Sequence, residues 1–107
     1  MDTYVINLER RPDRLLKFQS SAKMSGVFAT IVKAVDGKAL STKDFWIEKY
    51  YNLIEKRYLK KGEIGSYLSH YNCFEISTTN EVMIFEDDAK LRLGFWWTYK
   101  NVCKTLP

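Results

Sequence analysis

Apolar residues along this chain fall in short dense runs separated by charged stretches, and the runs alternate between two periods. Tyr4-Val-Ile-Asn-Leu8 is β-branched and apolar, bounded by charge, and predicts a buried strand. The segment Glu9-Arg-Arg-Pro-Asp-Arg14 follows. A helix is expected from Pro12, a residue suited to a first helical turn, with Leu15, Leu16 and Phe18 turned inward and Gly26 at its end. Val27 to Val32 predicts a second strand. Ala34-Val-Asp-Gly37 predicts a turn, with Asp supplying a side-chain bond and Gly an open φ. From Thr42 to Leu59 the pattern is helical, capped by Ser41 or Thr42, although its aromatics fall on several faces.

Beyond Lys61 the period is clearer. Ile64, Tyr67, Leu68, Tyr71 and Phe74 recur at three- and four-residue steps and predict one apolar helix face. Glu63, Ser66 and His70 share another face. Val82 to Phe85 predicts a strand, and Phe95 to Cys103 a last helix. This order is α/β, a mainly parallel sheet with helices on its faces. In open sheets of that kind, ligands sit beyond the carboxyl ends of the strands. Three polar clusters follow the three strands directly: Glu9 to Arg14, Asp36-Gly37, and Glu86-Asp87-Asp88. The order alone therefore predicts that they share one crevice.

Composition narrows this picture modestly. With 107 residues the chain has room for one small domain or part of a larger one, and 46% apolar residues suffice for a core. The formal charge of +4 favours anionic partners: nucleotide phosphates, nucleic acid or an acidic membrane surface. No apolar run reaches the roughly 18 residues of a membrane span, and the opening MDTYVINLERR does not read as a secretory signal. Cys73, Cys103 and the single His70 do not make a zinc site, and the two cysteines are expected as reduced thiols rather than a disulfide. The expected location is cytoplasmic, with peripheral contact at a membrane as a further option.

Each polar cluster has a chemical reading and a plainer one. Side chains alternate along a strand, so Glu86 and Asp88 point one way and Asp87 the other. Two carboxylates on one side suit a hard cation such as Mg²⁺ or Mn²⁺, with phosphate oxygens as further ligands. The plainer reading is an acidic strand terminus with Asp88 as a cap. The arginines of residues 9–14 match phosphate oxygens bidentately beside a helix N-terminus, or form a solvated basic turn paired with Asp13 or Glu9. The glycines of Lys61-Gly-Glu-Ile-Gly65 allow close ligand approach, or merely start a helix whose His70 is satisfied locally. Phe45-Trp-Ile-Glu-Lys-Tyr-Tyr51 reads as core in preference to a stacking surface.

Taken in order, YVINLERRPDRLLKF, KAVDG, LKKGEIGSYLSHYNCFE and VMIFEDDAKL resemble glycosyltransferase family 25, and the resemblance covers nearly the whole chain. It implies a Rossmann-like sheet of the GT-A type, truncated here, with residues 1–107 as a single, partial nucleotide-sugar-binding domain. It implies that Glu86-Asp87-Asp88 binds Mn²⁺ (or Mg²⁺) and the diphosphate of a UDP-sugar. Asn7, Leu8, Arg11 and Arg14 would flank the nucleotide, Asp36 and Gly37 would lie near base or ribose, and Gly62, Glu63, Ser69 and His70 would line the donor pocket. The implied reaction is metal-dependent, inverting transfer of a hexose, galactose first among them, to a saccharide or other hydroxyl acceptor. Family members continue well past the acidic block, and that part is expected to carry the acceptor site and catalytic base.

Other classes compete. One is a non-catalytic UDP-sugar-binding remnant. A second is a receiver-like domain, disfavoured because its acids follow the first strand. A third is a nucleic-acid-binding basic domain.

Overall fold

The computed structural model describes residues 1–39, 51–52, 57–58 and 60–106. Strand β1 (Asp2–Asn7) leads into helix α1 (Pro12–Met24), then strand β2 (Thr30–Lys33) and a 3₁₀ turn (Gly37–Ala39). Two short strands, β3 (Tyr51–Asn52) and β4 (Arg57–Tyr58), pair antiparallel. Helix α2 (Lys61–Ile76), strand β5 (Val82–Glu86) and helix α3 (Phe95–Thr105) complete the order.

The main sheet runs β2-β1-β5 and is parallel throughout. Its register aligns Ile6 with Val32 on one neighbour and with Glu86 on the other. Because β1 is central, the chain leaves it in one direction through α1 and returns on its other side through α2 and β5. Reversed winding puts the two helices on opposite faces of the sheet and opens a crevice at the C-terminal end of β1.

Alternation along the strands feeds two cores. Val5 points to the α1 face, where it is buried with Phe18, Ala22 and Val27, and Phe85 and Phe95 pack alongside. Tyr4 and Ile6 point to the α2 face, with Val32 and the buried Cys73. Helix α1 stops where a left-handed residue is needed. Gly26 adopts φ 72°, while the Val27 amide donates to the Ala22 carbonyl at 2.8 Å and Gly26 to Lys23 at 3.1 Å. That is the Schellman closure, with Ala22 and Val27 buried together as its apolar contact.

Four expectations change. Leu16 is 65% exposed, so α1 buries only Phe18 and Ala22 fully, with Leu15 partly covered. The second strand begins at Thr30 and not Val27, because Val27 is taken up by the helix closure. On α2 the buried residues are Ile64, Gly65, Ser69 and Cys73, while Tyr67, Tyr71 and Phe74 are exposed. Close packing selects the side with the smallest groups, which the count of apolar residues does not register. The helix expected over 42–59 can be judged only at Tyr51–Asn52 and Arg57–Tyr58, which are extended. The remainder of that expectation, with the aromatics Phe45 to Tyr50, lies outside the described residues.

Both cysteines are free thiols, Cys73 buried and Cys103 exposed. Among the described residues no helix is long and apolar enough to cross a membrane.

Candidate functional site

A cavity of about 310 Å³ opens at the C-terminal end of β1 and is lined from all three strand ends and from α2. Ile6, Leu8 and Arg10 enter from β1 and its extension, Ala34 to Lys38 from beyond β2, and Glu86 to Asp88 from beyond β5. Gly62, Ser66, Ser69 and His70 form the wall on α2. Arg14 reaches in from α1. The three polar clusters thus meet in one crevice, as the element order predicts.

The wall on α2 is held to the 34–39 loop by an interlock of small residues. Ser69, 1% exposed, accepts a hydrogen bond from the Val35 amide at 2.8 Å and donates to the Gly65 carbonyl at 2.7 Å. Gly37 has no positive φ; it is needed for space, since a β-carbon there would collide with the Lys61 carbonyl. Asp36 accepts from the Lys38 amide at 3.0 Å and forms an ion pair with Arg10. His70 places Nδ1 2.8 Å from the Ser66 carbonyl. A carbonyl only accepts, so Nδ1 carries the proton in that pair and Nε2 keeps its lone pair when the ring is neutral.

Opposite stands the acidic block, where Glu86 and Asp88 are exposed and Asp87 is buried as expected. Strand β5 nonetheless ends at Glu86, and a turn closed by the Ala89 amide on the Glu86 carbonyl at 3.1 Å makes the split. Asp87 is buried, and its Oδ2 accepts from Asn7 Nδ2 at 2.8 Å. Arg14 lies 3.6 Å from the other oxygen. Glu86 and Asp88 are exposed and carry no side-chain partner among the described residues. Around the cavity, Arg10 and Arg14 are matched by Asp36 and Asp87, leaving Lys38 against the unpaired charges of Glu86 and Asp88. The lining is therefore net negative by one charge with His70 neutral.

Whether these groups suit a divalent cation turns on the donor set. Among the described residues no group of three His, Cys, Asp or Glu could hold a metal by itself. Two unengaged carboxylates at an open cavity fit a hard cation that keeps water or phosphate oxygens in its shell, and do not fit a closed protein cage.

Several expected site residues stand elsewhere. Asn7 is buried and serves Asp87, donating also to the Arg11 carbonyl at 3.0 Å. Arg11 forks onto Asp13 with two 3.0 Å bonds, which holds the Asp13 carboxyl down at about 2 and raises the guanidinium. It faces a second cavity of about 620 Å³ along α1, shared with Arg14, Asp87 and Asp88. Glu63 turns its carboxylate onto the Lys60 amide at 2.9 Å and caps α2. Leu8, Arg14, Asp36, Gly37, Gly62, Ser69 and His70 line the first cavity together with the acids. Arg10 and Ser66 also line it; both stand in the polar clusters of the sequence, but neither is among the residues that the resemblance implies. Strand alternation run past β1 through Ile6, Leu8 and Arg10 is the signal that finds Arg10.

The sequence profile described as "Glycosyltransferase family 25 (LPS biosynthesis protein)" matches residues 1–106. A protein named "Glycosyltransferase 25 family member" from Anopheles gambiae is 38% identical over 101 residues, 86% of this chain and 17% of that protein. "Probable inactive glycosyltransferase 25 family member 3" from Bos taurus is 33% identical over 88% of the chain and 17% of its own length. "Procollagen galactosyltransferase 2" from Homo sapiens is 32% identical over 88% of the chain and 16% of its own. The chain therefore spans about a sixth of the length of the curated relatives it matches. No solved structure matches it significantly. A parallel sheet with its polar clusters gathered at the switch point, and a profile match from the first residue to residue 106, give one conclusion: the chain belongs to glycosyltransferase family 25.

Proposed function

We propose that this chain forms the nucleotide-sugar donor site of a metal-dependent hexosyltransferase, with a UDP-sugar as donor and a saccharide or other hydroxyl as acceptor. The observation that carries the reading is the pair of unengaged carboxylates, Glu86 and Asp88, in a cavity whose remaining lining is almost charge-balanced. A cavity with net negative charge repels a bare diphosphate, so an anionic donor enters most favourably with its own cation. Glu86 and Asp88 would hold Mn²⁺ or Mg²⁺, which when bound neutralises the diphosphate and stabilises it as a leaving group.

The chain's own side chains do the rest. Arg10 and Arg14 supply guanidinium forks at the cavity rim, and Lys38 a positive charge within the 3₁₀ turn. Gly62 has open space where a β-carbon would stand, so a ligand can approach the α2 backbone there. His70, with Nδ1 committed to Ser66, offers Nε2 as an acceptor for a ligand hydroxyl. Galactose is the favoured hexose by likeness to the procollagen galactosyltransferase.

A second reading is supported by the relative named probable inactive, which matches the same segment about as well as the galactosyltransferase does. In it the fold and donor binding persist without turnover.

Calorimetry of UDP binding with and without Mn²⁺, in the wild type and in Asp88→Asn, tests the donor site. Mn²⁺-dependent binding lost in Asp88→Asn is expected; equal Mn²⁺-dependent affinity in both overturns the metal assignment. Release of hexose from UDP-hexose, or its transfer, by the purified chain would discard the second reading.

A further inference from the structure

The buried amide of Asn7 stands at the point where the two halves of the site join. The register Ile6↔Glu86 brings Asn7 beside Asp87 at the next step, just past the end of β5. Strand alternation turns Asn7 to the α1 face, away from the α2 face where Ile6 and Ile84 pack. The turn after β5 brings Asp87 to the same side, within 3.6 Å of Arg14 on α1. There Asn7 spends both protons of its amide group. One goes to Asp87 Oδ2 at 2.8 Å, the other to the Arg11 carbonyl at 3.0 Å. Asn7 is 6% exposed and Asp87 8%, so both bonds are shielded from water. Few other side chains of this size present two N–H donors from one atom while remaining uncharged.

With Asp87 fixed, the residues on either side of it are constrained. Glu86 ends the strand and Asp88 follows the fixed carboxylate directly, both on the exposed side and lining the first cavity. Glu86 is held by its pairing with Ile6 and by the Ala89 amide on its carbonyl, so a loosened Asp87 would chiefly let the 87–88 turn swing Asp88 away from Glu86.

We propose that Asn7 is a positioning residue for the divalent cation: by clamping Asp87 it presents Glu86 and Asp88 to the ion without touching ion or donor. The inference rests on the metal reading above. It differs from a direct role for Asn7 beside the nucleotide, because the side chain is buried on the far face of the sheet end.

Electron paramagnetic resonance titration of Mn²⁺ tests it in the wild type, Asn7→Leu, Asn7→Ser and Asp2→Asn. Asp2→Asn is a destabilised control at the opposite end of β1 from the acids, where Asp2 ties down residues 77–79. Removing a group that orients a ligand from outside the coordination shell typically costs about 10- to 100-fold in metal affinity. Asn7→Leu is expected to fall in that range, Asn7→Ser less far because it retains one donor, and folded Asp2→Asn is expected to keep wild-type affinity. Wild-type affinity in a folded Asn7 variant overturns the proposal while leaving the metal site standing. No Mn²⁺ binding by the wild type removes the metal reading itself, and this inference with it. Should neither Asn7 variant fold, a Mg²⁺ titration of the wild type by NMR decides. The Asn7 side-chain amide signal must then move together with the Glu86 and Asp88 backbone amides. A stationary Asn7 signal beside shifting acids overturns the clamp.

Discussion

Gly65 of α2 lies against the backbone of Val35: a β-carbon on Gly65 would stand 2.6 Å from the Val35 carbonyl oxygen and 2.9 Å from the Gly37 amide nitrogen. Neither is a flexible side-chain end, so neither yields cheaply. Alanine is the better helix former by about 1 kcal/mol, yet here Gly65→Ala is expected to destabilise. Overpacking of this kind typically costs about 1–3 kcal/mol, measurable as a lower urea midpoint. Gly62, three residues earlier with nothing within 4 Å, is the contrast. Gly62→Ala is expected to leave stability unchanged or raise it, while weakening UDP binding.

Ser69→Ala removes the acceptor for the Val35 amide. A donor left unpaired in a shielded place costs about 1–3 kcal/mol. The unfolding midpoint should fall accordingly, and hydrogen exchange at Val35 should accelerate by more than at Val5, which keeps its ladder bonds.

Asp2 gathers four donors on one oxygen: the Thr78 amide at 2.7 Å, the Ser77 hydroxyl at 2.9 Å, and the Thr79 amide and Thr78 hydroxyl at 3.2 Å each. The Thr78 amide leads in lowering its carboxyl from 3.8 to about 2. A carboxyl whose folded pKa is depressed contributes stability above its ordinary pKa and loses it as pH falls toward the folded value. Asp2→Asn should therefore melt below the wild type at neutral pH. The gap should close between about pH 4 and pH 2, the window between the two pKa values. A gap independent of pH across that range would contradict the assignment.

The thiols should separate kinetically. Cys73 is fully buried and its pKa is raised by desolvation, whereas Cys103 is exposed. Reaction depends on thiolate and access together. A disulfide reagent should titrate one thiol rapidly in native protein and the second only after denaturant is added.

Much of this architecture is legible before any coordinates. Pro12 and Gly26 bracket α1, and the β-branched runs mark β1 and β5, because local sterics and burial agree there. The crevice follows from element order, since parallel sheets leave their polar loops at one end. What escaped was set by packing between elements distant in sequence. The buried face of α2 departs from its apolar period because Gly65, Ser69 and Cys73 carry little apolar surface and are buried for their smallness. Gly37 reads as a turn glycine with an open φ, whereas the Lys61 backbone across from it is the reason no side chain fits. Glu63 looks equivalent to Ser66 and His70 by spacing, but the first turn of a helix has free amides and its carboxylate goes to one. Asn7 reads as the end of a strand until the register shows what lies opposite.

The bond between Asn7 and Asp87 joins residues 80 positions apart. It therefore forms only after β5 has found β1, the longest-range pairing in the main sheet and the one that closes the largest loop. Local structure in α1 or α2 can appear earlier, but the basic rim and the acidic block remain on unconnected ends of the chain until that closure. On the proposed donor reading, nucleotide affinity would report on that closure. A chain caught part-way, however helical, has two half-sites and no joined crevice, so a cation and nucleotide bound as proposed would selectively stabilise the last step of assembly.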